Sequence, residues 1–171
     1  MQKNASAFLA FIYSALFAAT VCFVFYGNHI KYITHAYLIG LLCMLPFIFA
    51  ALYLKRKNQN EILGGREGLK EGLKVVAIAT LFMALFQVIF FELSFREYKI
   101  NFMQTMGPEI LKKQIEAGNV KMTVADIPKM IAADIEGVTV FKEITSVVFK
   151  NLIFGAFAAG LGAVIFKRKA S

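Results

Sequence analysis

Tryptophan is absent, proline occurs three times, cysteine and histidine twice each, and only 18% of the 171 residues are charged. Each scarcity excludes something. Two cysteines, Cys22 and Cys43, cannot build the disulfide framework of a small secreted domain. Both lie in uncharged runs; in a hairpin of two helices they would differ in depth by roughly 9 Å at 1.5 Å per residue, too far for a bridge. They read as packed, small apolar side chains. His29 and His35 have no Cys, Asp or Glu at ligand spacing, so they read as interfacial residues and no metal site is expected. The chain contains no H-E-x-x-H, no G-x-S-x-G and no G-x-G-x-x-G. With no acid–base pair or nucleophile laid out, neither a catalytic residue nor a cofactor is expected.

What is present is apolar. The content is 58%, against roughly 45–50% for ordinary soluble domains, and the mean hydropathy is +0.63. Four runs are of the length, about 20 residues, that a helix needs to cross hydrocarbon: residues 5–26, 32–54, 72–93 and 146–166. The expected fold is all-α, a four-transmembrane-helix bundle in one integral membrane domain over 1–171, with a short helical segment outside the membrane over about 94–145. The first run is longer than the 7–15 apolar residues of a signal peptide, and Val21 before Cys22 poorly fits a lipoprotein cleavage site, so it is expected to be retained. Pro46 falls inside the second run, where it should free a carbonyl and kink the helix.

Charge sets an orientation. With the N-terminus inside, the cytoplasmic side carries Lys3, Lys55, Arg56, Lys57, Arg66, Lys70, Lys74, Lys167, Arg168 and Lys169 against Glu61, Glu67 and Glu71. The hairpin between spans one and two holds Lys31, the long loop is almost neutral, and Lys150 belongs near the outer end of span four, where its stem can snorkel. The net charge of +8 is thereby explained by cytoplasmic flanks, and nucleic acid is not an expected partner. Both termini are expected inside, in an inner (plasma) membrane.

The stretch EILGGREGLKEGLKVV, Glu61 to Val76, resembles a phosphate loop at first sight. A P-loop needs G-x-x-x-x-G-K-[ST] between a strand and a helix, and no Gly-Lys dipeptide occurs anywhere. The stretch instead places Gly64, Gly68 and Gly72 four apart, a groove on one side of a helix that admits another helix. Lys70 and Lys74 can reach lipid phosphates, and Glu67 and Glu71 can pair with them. Span four carries the matching pairs Gly155 with Ala159, Ala156 with Gly160, and Ala158 with Gly162. These point to packing within the bundle first and a homodimer seam second.

In the outer segment, Phe91, Phe95, Tyr98, Phe102 and Met106 continue a helical spacing beyond span three until Gly107-Pro108 ends it. Pro108, Glu109 and Gly118 mark the start and stop of one short helix, with Ile110, Leu111 and Ile115 as its stripe. Thr123 or Asp126, Pro128 and Gly137 mark a second, with Met130, Ile131 and Ile135. Two such short amphipathic helices can cover each other, lie on the membrane surface or dock a partner, and a cap over the bundle's outer face is the preferred expectation. Among polar residues at membrane depth, Gln87 should hydrogen-bond another helix, with Tyr13, Ser14, Thr20 or Thr80 as partner. Glu92 should sit at headgroup level near Arg96, and Lys150 and Asn151 open span four. No ionisable residue falls mid-span, which argues against ion-coupled transport.

The basic glycine segment GGREGLKEGLK, the aromatic exit FFELSFREYKINF and the helical segment before span four give a resemblance. The chain resembles a bacterial family of small four-span membrane proteins catalogued as domain of unknown function 4199. That resemblance implies the architecture and supplies no catalytic residues. The functional expectation is a non-enzymatic membrane component acting by helix packing, contact with membrane lipids, or binding a membrane protein partner or a second copy. The alternative is a small oligomeric channel or transporter with Gln87 and Pro46 near its path.

Overall fold

The computed structural model describes all residues except 1–3, 28, 30, 31, 61, 121, 122 and 168–171. Of the charges used for orientation, Lys3, Lys31, Glu61, Arg168 and Lys169 therefore lie outside the described residues. The fold is all-α. Its elements are α1 (Ala5–Tyr26), α2 (Ile33–Asn58), α3 (Gly65–Phe90), a π turn (Phe91–Phe95), α4 (Arg96–Thr105), α5 (Gly107–Glu116), a 3-10 turn (Val124–Asp126), α6 (Ile127–Glu136) and α7 (Val140–Phe166).

Four helices are long and apolar enough to cross a membrane: α1, α2, the continuous stretch Gly65–Thr105, and α7. Only 28–39% of each apolar window is buried within the chain, so most of that surface faces outward, as lipid requires. The chain is a multi-pass membrane protein. The first helix coincides with its apolar run, but α3 starts at Gly65 rather than Gly72 and α7 at Val140 rather than Ser146. Hydropathy locates the apolar window, whereas Glu-, Lys- and Leu-rich turns extend the helix beyond it. Helix α2 runs through Pro46 without a break.

Two compact units divide the chain: one within residues 1–86 and 147–171, the other 87–146. In the first, the bundle unit, neighbouring side chains fix how the helices run. Ser6 meets Glu71 and Ser14 meets the Ala79 carbonyl, a constant offset of 65 that makes α1 and α3 parallel. Phe17 meets Tyr37 while Tyr13 meets Phe47, so α1 and α2 are antiparallel. Positions 68, 72 and 76 of α3 face 163, 159 and 155 of α7, an antiparallel pair. The starts of α1 and α3 and the ends of α2 and α7 therefore lie at one end of the bundle. The apolar centre includes Tyr13, Val21, Met44, Ile48, Leu52 and Val75.

The second unit, named the outer unit after the sequence expectation for this segment, is built by turn chemistry. The π turn adds one residue to a helical turn, so Phe90 stacks on Phe95, which stacks on Tyr98, which stacks on Phe102. Phe91, expected in that ladder, is instead fully buried. Pro108 lies in the first turn of α5, and Gly118 takes a φ of +70° just beyond its end, a conformation that costs glycine little. Thr123 and Asp126 form a reciprocal cap before α6. The Lys99 ammonium pairs with Glu143, joining α4 to the first turn of α7.

Candidate functional site

The small residues form a seam inside this chain. A Cβ on Gly68 would come within 3.4 Å of Ala163, and one on Gly72 within 2.7 Å of Ala159 and 3.5 Å of Ile48. A Cβ on Gly155 would overlap the Val76 side chain, and one on Gly162 would lie 2.5 Å from Leu52 and 3.1 Å from Phe49. Each glycine is thus filled by a neighbouring helix, the close approach that small residues permit in membranes. Gly64 precedes α3, where among the described residues an added Cβ would meet only Glu67, and one on Gly160 would meet none of the described side chains within 4 Å. Both fall outside the seam for a geometric reason. The helix begins at 65, so the stripe continues to Val76 rather than back to Gly64, and residue 160 is turned about 100° from Ala159. The sequence reading missed Ala163 and Gly40. At Gly40 a Cβ would overlap the Phe17 ring, and the Gly40 carbonyl accepts from the Tyr13 hydroxyl at 3.0 Å. A lone glycine in the middle of an apolar helix was the available signal.

Polar side chains line the interior. Ser6 donates to Glu71, linking α1 to the first turns of α3. Ser14 lies 2.8 Å from the Ala10 carbonyl and 3.4 Å from that of Ala79. Asn151 donates to Met83 Sδ at 3.3 Å, tying α7 to α3. Thr80 Oγ1 is buried without a hydrogen-bond partner among the described residues. Gln87 is 1% exposed. Of the hydroxyls expected as its partners, those of Tyr13, Ser14 and Thr20 are directed to backbone carbonyls. Glu92 is exposed and pairs with Arg96 at 3.5 Å, and Lys150 is exposed. Both cysteines are free thiols; Cys43 is exposed rather than packed, because it lies one position from the buried Met44 on the outward side of α2.

In the outer unit, α5 and α6 bound a groove of about 720 Å³. Ile127, Ile131 and Ile135 form its apolar wall, and Pro108, Glu109 and Lys112 face them. Glu109 bonds Lys113 at 2.8 Å. The pairing lowers the Glu109 carboxyl below its ordinary value and raises the Lys113 ammonium above its own. Hydrogen bonds from Thr123 likewise lower the Asp126 carboxyl. The His29 ring lies tilted against that of Phe23, and His35 meets Tyr32 edge-on. Among the described residues no three His, Cys, Asp or Glu side chains gather where they could hold a metal.

The chain matches, over residues 6–168, the model of the family described as Protein of unknown function (DUF4199). It belongs to that family. No curated protein and no solved structure matches the chain. The family's description carries no activity, so it assigns no role to any residue, and the site must be argued from geometry alone.

Proposed function

We propose that this protein is a non-enzymatic component of a bacterial inner membrane, with both termini cytoplasmic, acting through its lipid- and partner-facing surfaces. The observation that supports this reading is the division of labour around the helices. The small residues and most buried polar groups are consumed in holding the bundle unit together, while the outward surface is apolar along four spans. Orientation follows from Lys55, Arg56, Lys57, Arg66, Lys70, Lys74 and Lys167, which gather at the bundle end where α2 and α7 finish and α3 begins. Interaction, if with a protein, uses the outward faces rather than the seam. Affinity purification from native membranes in mild detergent, with mass spectrometry and a mass for the complex, tests the reading. A stoichiometric second protein or retained lipid supports it. A bare homo-oligomer that conducts solute in liposomes, and loses that flux with Gln87→Leu, contradicts it in favour of a channel.

A further inference from the structure

Exposed Arg66, Lys70 and Lys74 recur every four residues along the first turns of α3. At 3.6 residues per turn they stand about 200° around the helix from Gly68 and Gly72, so they point away from the face packed on α7. Exposed Ala77, Leu81 and Leu85 continue the same outward strip towards the middle of the span, flanked by exposed Leu69 and Leu73. One face of one helix therefore grades from three cations to bare hydrocarbon. Of the acids of this segment, Glu71 accepts from Ser6 of α1, and Glu67 is exposed with its Oε2 3.7 Å from where a Cβ on Gly64 would stand. A fourth cation is near, since a Cβ on Gly65 would lie 3.6 Å from Cδ of Lys167. Cationic heads above an apolar track match a phospholipid, with its phosphate against the amines and guanidinium and its acyl chains along the leucines.

The geometry points to a binding site for an anionic phospholipid on the outward face of α3, with Arg66, Lys70 and Lys74 holding its phosphodiester and Leu73, Leu81 and Leu85 its chains. This rests on the lipid-contact reading above and names the lipid class. Selectivity comes from charge: each cation near a membrane surface favours anionic lipid by about fivefold. The full chain in phosphatidylcholine nanodiscs containing a minor fraction of phosphatidylglycerol gives the test, read by native mass spectrometry of the lipid that stays bound. Phosphatidylglycerol should be retained selectively. Replacing Arg66, Lys70 and Lys74 together by Gln should weaken that selectivity by roughly 100-fold, and Lys74→Gln alone by about fivefold. The charge-keeping set Arg66→Lys, Lys70→Arg and Lys74→Arg should restore it, and Lys112→Gln with Lys129→Gln and Lys142→Gln should leave it unchanged. Equal retention in the neutral triple, or equal loss in the control triple, overturns the site. Displacement by soluble glycerol phosphate as readily as by lipid would also overturn it, in favour of a free-anion site. Loss of lipid selectivity leaves any co-purifying protein in place, so this site and the wider reading fail separately.

Discussion

The bundle unit and the outer unit solve the same problem, joining helices, with different materials. Inside the bundle, helices approach until Gly72, Gly155 and Gly162 leave no room for a Cβ and one on Gly68 would sit in van der Waals contact with Ala163, and hydroxyls turn to carbonyls or across to another helix. Lipid is as apolar as leucine, so burial offers little reason for such helices to associate, and close contact supplies it. In the outer unit, caps and exposed ion pairs at Thr123–Asp126 and Glu109–Lys113 accompany Pro108 and Gly118 at helix boundaries. There the joints are made by local boundary chemistry, and no residue of α4 or α5 is buried. Apolar surface that would be a liability in water is what a membrane-spanning helix needs on its outward side.

The contrast predicts where substitutions hurt. The largest effect belongs to the seam: Gly155→Leu forces a side chain into Val76 and should destabilise the bundle by about 3 kcal/mol or more, whereas Gly160→Leu should change stability by less than about 0.5 kcal/mol. Denaturant unfolding in detergent, followed by fluorescence of a label at Cys22 in a Cys43→Ala background, separates the two. Equal losses would mean that both faces of α7 are packed. Next is Tyr13→Phe, which leaves the Gly40 carbonyl without its donor and should cost about 0.6–1 kcal/mol in the same assay.

The outer unit should respond to pH instead. The Asp126 carboxyl has its folded value lowered by Thr123, so its cap contributes stability at and above the ordinary carboxylate range and loses it as pH falls through the folded value. Helical chemical shifts across Ile127–Glu136 should weaken below about pH 4. Thr123→Val, which leaves only the backbone donor, should make that loss smaller, and bundle signals should stay constant throughout. The smallest effect is expected of Lys113→Ala, because the Glu109–Lys113 pair is fully exposed and such pairs contribute little; the amide shifts of α6 should not move.

Much of the architecture was legible in the residues. The first apolar run matches helix α1 end to end, and Pro108, Gly118, Thr123, Asp126 and Gly137 marked the short helices α5 and α6, because boundary chemistry is local. Three features were not legible. The π turn at Phe91–Phe95 has no sequence signal distinct from an ordinary helix, so the first rung of the aromatic ladder was expected at Phe91 and stands at Phe90, while Phe95, Tyr98 and Phe102 keep their places. The small residues of α7 offered three faces, and only the facing residues Val76, Leu52 and Phe49 decide which are filled. Ser6 with Glu71, and Lys99 with Glu143, join residues far apart in the chain, which no spacing rule relates.

The most direct measurement is cysteine labelling from one side of the membrane. In a chain carrying Cys22→Ala and Cys43→Ala, a single cysteine is placed at Gln59, after α2, or at Val124, in the outer unit. A membrane-impermeant maleimide applied to intact spheroplasts should label Val124→Cys at once and Gln59→Cys only after permeabilisation. Labelling of both from the same side, or the reverse order, would contradict the four-span bundle with its cationic end in the cytoplasm.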